Sequence, residues 1–257
     1  MLQTRIIPCL QLINQSLVKT VQFGHHNYIG DPINTVRIFN ELEVDELCFL
    51  DIRATVEKRV PDLKILTEIA NECFMPLSYG GGVRDAETAQ QILSIGFEKI
   101  VLNTIAIENP GVVTKIADHS GNQSVIVSMD VKKNIWGKYH VYSNDGTRKT
   151  ELDPVEWAVS LEKLGAGELL ITSMNMDGTW QGFDLEITKR IVNAVNIPVI
   201  ANGGAGSIEH IGMVLKETSA SAVALGSMVV YQKKGMGVLV NFPDKDKLSE
   251  VLFKYRK

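Results

Sequence analysis

Two apolar runs in this chain end on side chains that could take part in chemistry. Arg5-Ile6-Ile7-Pro8-Cys9-Leu10-Gln11 ends on an amide, and Ser124-Val125-Ile126-Val127-Ser128-Met129-Asp130-Val131, about half the chain later, reaches a carboxylate. A carboxylate at a strand end can move a proton, whereas the amide of Gln11 cannot exchange one near neutral pH. Other apolar runs end on Asp51, Gly82, Asn103-Thr104, Thr172-Ser173, Asn202-Gly203-Gly204 and Gly226-Ser227. Glycine lets an oxyanion approach the backbone, and the first amides of a following helix point at it. Gly82 with Asn103 and Thr104 is therefore one candidate phosphate cradle; Gly204 with Gly226 and Ser227, helped by Asp177-Gly178, is the other. The same glycines would also suit simple strand-to-helix turns, and their double occurrence favours the phosphate reading.

Charges stand at the opposite ends of these runs. Arg5, Glu46, Lys99 and Glu168 each open a predicted strand. By pattern alone they are solvated flanking charges; at one level of a barrel they would form a ring of alternating sign over its lower mouth. Lys19 is either solvated or able to close over a bound phosphate. His25, His26, His119, His140 and His210 show no metal-ligand spacing, and the reading calls for no metal and no cofactor.

The elements that must position these residues follow from periodicity. Helices are predicted over 33–43, from Pro61 to Cys73, from Asp85 to Ile95, over 154–164, from Asp184 to Val195 and from Ser207 to Glu217, most of them begun by Asp, Ser or Pro. Residues 12–32 read as a long loop, and 135–148 as a hairpin with an Asn144-Asp145-Gly146 turn. Eight apolar strands alternating with helices, polar only at their ends, predict a parallel sheet covered on both faces: a (β/α)₈ TIM barrel. Pro76-Leu77-Ser78-Tyr79-Gly80-Gly81-Gly82-Val83 lines up without gaps on Pro198-Val199-Ile200-Ala201-Asn202-Gly203-Gly204-Ala205. Glu46-Leu47 lines up on Glu168-Leu169 at the same offset, which predicts one domain made of two duplicated half-barrels, about 1–120 and 121–257.

With 257 residues, 45% of them hydrophobic, the chain can bury a large core. Its net charge of -4 argues against nucleic acid or an anionic membrane as partner. Three cysteines without ligand spacing read as free thiols, and with no signal-peptide pattern or spanning apolar run the expected location is the cytoplasm.

Arg5-Ile-Ile-Pro-Cys-Leu10, Phe49-Leu-Asp-Ile52, Val56-Glu-Lys-Arg59, Gly80-Gly-Gly82, Asn103-Thr104, Asp177-Gly-Thr179 and Asn202-Gly-Gly-Ala-Gly206 together resemble the cyclase subunit of imidazole glycerol phosphate synthase over nearly all of residues 1 to 230. The resemblance implies a duplicated barrel that binds a substrate with two phosphates and pairs through its lower face with a glutaminase subunit. It also implies that Arg5, Glu46, Lys99 and Glu168 gate ammonia passing to the rim. That family uses two aspartates, at the ends of strands one and five, as general acid and base. Here Asp130 is one and Gln11 stands at the other position. Asn14-Gln15-Ser16, Arg53, Met176, Trp180 and Asn202 depart from the family pattern as well. These departures point to a divergent paralogue that still docks a glutaminase and conducts ammonia. The expected use is amidination of a nucleotide-linked sugar for surface polysaccharide, with a further synthetase. The alternatives are an authentic cyclase relying on Asp130 alone and a non-catalytic activator of the glutaminase.

Overall fold

The computed structural model describes residues 4–255. Eight strands form the barrel: β1 (Arg5–Ile13), β2 (Leu47–Asp51), β3 (Leu77–Gly80), β4 (Lys99–Leu102), β5 (Val125–Lys133), β6 (Glu168–Ser173), β7 (Val199–Asn202) and β8 (Ala222–Leu225). Each is parallel to the next, and the circle closes because Arg5 to Pro8 of β1 pair with Ala222 to Leu225 of β8. Helices lie between successive strands, so the chain is a (β/α)₈ barrel, as the alternation of apolar runs and capped helices predicted.

Strand alternation sends every second residue inward. Along β1, Ile6, Leu10 and Leu12 join the core beneath the helices, while Ile7 and Cys9 join a separate cluster with Cys48, Val101, Ile126, Leu170, Ile200, Ala222 and Ala224. This second cluster fills the barrel's interior. Arg5 and Gln11 share the inward parity of Ile7 and Cys9, so one strand carries a charge at the lower mouth and an amide about 20 Å away at the rim. The same parity puts Glu168 below and Thr172 above on β6.

The helices start where side chains can accept orphan amides. Asp62 accepts from Lys64 and Ile65, Asp85 from Thr88, Asp153 from Val155 and Glu156, and Ser207 from His210. The second helix thus begins at Leu63, after Asp62 rather than at Pro61, because the aspartate satisfies two amides and proline satisfies none. Among the described residues no helix is long and apolar enough to cross a membrane.

One segment differs from expectation at the rim, and a second appears as expected. Residues 12–32 are not an irregular loop: Ser16–Thr20 pairs antiparallel with the end of β1 and with His26–Gly30. The hairpin expected over 135–148 is present, Tyr139–Ser143 pairing with Arg148–Lys149 through the Asn144–Gly146 turn, and β5 extends to Lys133 to pair with Tyr139–Ser143 as well. Both extensions satisfy by strand pairing the backbone groups that a polar loop would leave to water. The helices Gly111–Ser120 and Lys245–Tyr255 had no counterpart among the predicted elements.

Candidate functional site

At the lower mouth the four charged strand starts meet. Arg5 Nη1 donates to Glu46 at 2.7 Å and Nη2 to Glu168 at 2.8 Å. Lys99 Nζ donates to Glu168 at 2.9 Å and to Glu46 at 3.2 Å, which closes the cycle. Each carboxylate touches both cations, and the charges sum to zero. Burial by itself would lower the Arg5 guanidinium, but the hydrogen bonds and charges of Glu168 and Glu46 outweigh it and hold it above its ordinary value. The sequence placed these residues at one level by strand register alone, without contacts; the contacts now close the mouth.

At the rim a cleft holding about 970 Å³ of space, part of it open to solvent, is lined by Gln11, Lys19, Gly82, Asn103, Thr104, Asp130, Asp177 and Gly226 among others. Gly178, Gly204 and Ser227 lie outside that lining: Gly178 packs on Thr20 and Val21, Gly204 on Gly182, and Ser227 is buried at the start of a short helix. Gly204 could not carry a side chain, because its φ is +104° and a Cβ would overlap the Gly182 carbonyl.

Asp130 is buried within β5, where that strand leaves the barrel for its extension to Lys133, and its carboxyl is pushed up to about 7 by that burial. The charges of Asp145 and Asp177 push the same way, against a hydrogen bond from Asn103 Nδ2 at 2.9 Å. It is one of the groups at the rim able to give and take a proton near neutrality. Gln11 is engaged elsewhere. Its Oε1 accepts from the Thr20 amide at 2.9 Å and its Nε2 donates to Thr20 Oγ1 at 3.2 Å, fastening the first hairpin to β1. Lys19, beside it, is buried: Nζ donates to Asp177 Oδ1 at 2.9 Å and to the Thr20 carbonyl at 2.8 Å. Its stem lies against Gly226, where a Cβ would come within 2.9 Å of Lys19 Cε.

Two features escaped the sequence reading. Asp145 was read as a turn residue only, yet it lines the cleft, with its carboxyl pushed up to about 6 by burial and partly restrained by Arg53 at 3.7 Å. Arg59 holds Asp51 through two bonds of 2.9 and 3.1 Å. The available signal for Asp145 was its place on a hairpin continuing from the Asp130 strand.

A closed parallel barrel with its cleft, its perturbed carboxyls and its glycine-ended strands all at the C-terminal face is a (β/α)₈ barrel with the site geometry of an enzyme-type rim. Residues 5–235 match the family described as "Histidine biosynthesis protein", and the chain belongs to that family. It is 46% identical, over 96% of this chain and 99% of the relative, to a Pseudomonas aeruginosa protein named "Putative imidazole glycerol phosphate synthase subunit hisF2". It is 43% identical, over 98% of this chain and 100% of the relative, to one from Leptospira interrogans named "Putative imidazole glycerol phosphate synthase subunit HisF". A third relative, "Imidazole glycerol phosphate synthase subunit HisF" of Alkaliphilus metalliredigens, is 44% identical over 91% of this chain and 92% of its own length.

Proposed function

We propose that this chain is the barrel subunit of a glutamine-dependent amidotransferase. Ammonia released by a glutaminase subunit docked on the lower mouth passes the Arg5, Glu46, Lys99 and Glu168 ring, crosses the barrel interior and is used at the rim. The observation that supports this most is the closed ring beneath an interior of Ile7, Cys9, Cys48, Val101, Ala222 and Ala224. Apolar walls admit neutral ammonia and reject ammonium, whose charge would lose its hydration. Lys99, on its flexible stem, is the member of the ring that can swing aside, while Arg5 keeps its contacts to both carboxylates. The names of the relatives agree with such a subunit.

The acceptor is a phosphorylated small molecule at the rim, its anionic group received near Lys19 and Gly226 once Lys19 exchanges Asp177 for it. Asp130 is the group that transfers protons there. Because Gln11 cannot act as a second acid or base, the finer reading is amidination of a nucleotide-linked sugar in a surface-polysaccharide pathway, completed by a further synthetase, rather than histidine biosynthesis. The raised carboxyl of Asp130 favours a second reading, a cyclase in which this one group carries both proton steps.

Two measurements test this. Given ammonium and the two-phosphate ribonucleotide of imidazole glycerol phosphate synthase, the purified chain should turn over on the order of 10²-fold or more slower than an enzyme with both carboxylates; a normal rate overturns the polysaccharide reading. Mixing with its glutaminase should raise glutamine hydrolysis, and no stimulation overturns the amidotransferase reading.

A further inference from the structure

The hairpin that continues from β5 ends on two large apolar side chains in solvent. Ile135 is 89% and Trp136 82% exposed, whereas Trp157 is buried and Trp180 half-buried. The tip that presents them is closed on itself. Asn134 Oδ1 accepts from the Trp136 amide at 3.0 Å and from the Lys138 amide at 2.9 Å, and the Asn134 amide donates to the Lys138 carbonyl at 2.9 Å. Gly137, at φ +81°, turns the chain back and donates to the Asn134 carbonyl. The foot is fastened to the rim as well. Asn175 Oδ1 accepts from the Lys133 amide at 2.8 Å, Lys133 Nζ donates to Glu186 at 2.6 Å and Tyr139 Oη to Asp184 at 2.9 Å. Two exposed apolar groups on a backbone already ordered lose little freedom when something covers them.

The charge around the tip is one-sided. The chain carries a net charge of -4, yet residues 132–149 hold five cations, Lys132, Lys133, Lys138, Arg148 and Lys149, against the single carboxylate of Asp145. Asp145 faces the cleft, Lys133 is taken by Glu186 and Arg148 by Glu108. Lys132 and Lys138 are exposed and have no carboxylate partner among the described residues, Lys132 lying over the Tyr142 ring. Lys149 meets Glu151 only at 4.0 Å. A partner edged with carboxylates would be drawn to this hairpin. An anionic membrane fits less well, since two side chains give little insertion and the acidic remainder of the chain is repelled.

Position on the barrel gives the partner its task. β5 carries Asp130 in the cleft, and Trp136 stands six residues further along, roughly 20 Å away by strand rise. Whatever grips Ile135 and Trp136 therefore stands beside the mouth through which ammonia leaves. We propose that the Ile135–Trp136 tip docks the protein that takes ammonia from the rim, a partner presenting an apolar pocket edged with carboxylates. This rests on the amidotransferase reading with its further synthetase, and adds where that synthetase binds. Trp136 fills the pocket as the anchor of the contact, Ile135 widens it, and Lys132 and Lys138 pair with the carboxylates around it.

Reconstitution of the full chain with its glutaminase and the synthetase tests this. Glutamine carrying heavy nitrogen in its amide is supplied together with unlabelled ammonium, and the label is read in the amidinated product. With the parent chain most of the product should carry label. Trp136→Ser should bring the labelled fraction down to that of the bulk ammonia and weaken synthetase binding on the order of 30-fold; Trp136→Phe should keep most of both. Lys132→Glu combined with Lys138→Glu should weaken binding strongly at low salt and less at high salt. Every variant should still stimulate glutamine hydrolysis, because the tip lies on the face opposite the charged ring. Equal labelling with Trp136→Ser and with the parent overturns the proposal, as does a parent product labelled no more than the bulk ammonia. Sedimentation of the parent but not Trp136→Ser with phosphatidylcholine and phosphatidylglycerol vesicles assigns the tip to a membrane, and self-association lost on that substitution assigns it to a second copy; either result overturns the proposal too. Absence of glutaminase stimulation by the parent is the separate failure of the amidotransferase reading.

Discussion

At the lower mouth two cations and two carboxylates close on one another and leave nothing over. At the rim Asp51 has Arg59, Asp177 has Lys19 and Asp145 has a long contact to Arg53, but Asp130 has only a neutral amide. The same barrel thus spends its charge fully at one end and holds some in reserve at the other. A self-neutralised ring is cheap to keep and costly to break, since removing one member strands a charge that has lost its water. An underpaired carboxyl costs stability in the resting state and is retained where a ligand or a proton completes it.

This contrast can be broken from either end. The largest effect is expected from Glu46→Ala, because the Glu46 side chain is 3% exposed and receives both Arg5 and Lys99. Its loss should cost about 4 kcal/mol in denaturant unfolding, and a cost under about 1 kcal/mol would make the ring a surface feature.

Asp130→Asn should act in the opposite sense, increasingly as pH rises from about 4 to about 7. Burial lifts this carboxyl to about 7 in the folded chain, against about 4 unfolded. Between those values the folded state binds more protons than the unfolded one, so stability falls as pH rises through that window. The variant removes this slope: it should match the parent near pH 4 and exceed it by about 4 kcal/mol at pH 8. Parallel unfolding curves at the two pH values check this, and a constant difference would show that Asp130 titrates normally.

The smallest effect is expected from Gln11→Met, which leaves the buried Thr20 amide without its acceptor at a cost of about 1 kcal/mol. Hydrogen exchange at Thr20 should quicken while exchange in β2 to β4 stays unchanged. Global acceleration instead would mean that Gln11 supports the barrel and not the hairpin.

How much of this was legible depended on whether a residue's partners are set by strand parity or by distant loops. Glu168–Ser173 appears with the bounds its apolar run indicated. The ring was legible only in part: strand starts put the four charges at one level, but pattern alone read them as solvated flanking charges, and the family resemblance favoured the ring. The hairpin over Ser16–Thr20 and His26–Gly30 was not, since its Asn, Gln, Gly and His composition resembles a loop and its pairing partner is the end of β1 itself. The helix Gly111–Ser120 was hidden by Asn109-Pro110-Gly111, which reads as a breaker, although Val112, Val113, Ile116 and Ala117 bury one face. Asp145 was invisible as a site residue because Asn-Asp-Gly explains itself as a turn. Residues 144 to 146 all have positive φ, near 52°, 55° and 70°, and only the folded hairpin shows where that turn points.

The clasp between Gln11 and Thr20 also limits what position 11 can be exchanged for. An aspartate at position 11 is one methylene shorter, so a direct Gln11→Asp exchange would surrender the Thr20 amide and loosen the strand that delivers Lys19 to Asp177. The amide at position 11 is thus an anchor for the neighbouring hairpin. A carboxylate placed there could serve the rim only if the hairpin were anchored by other means.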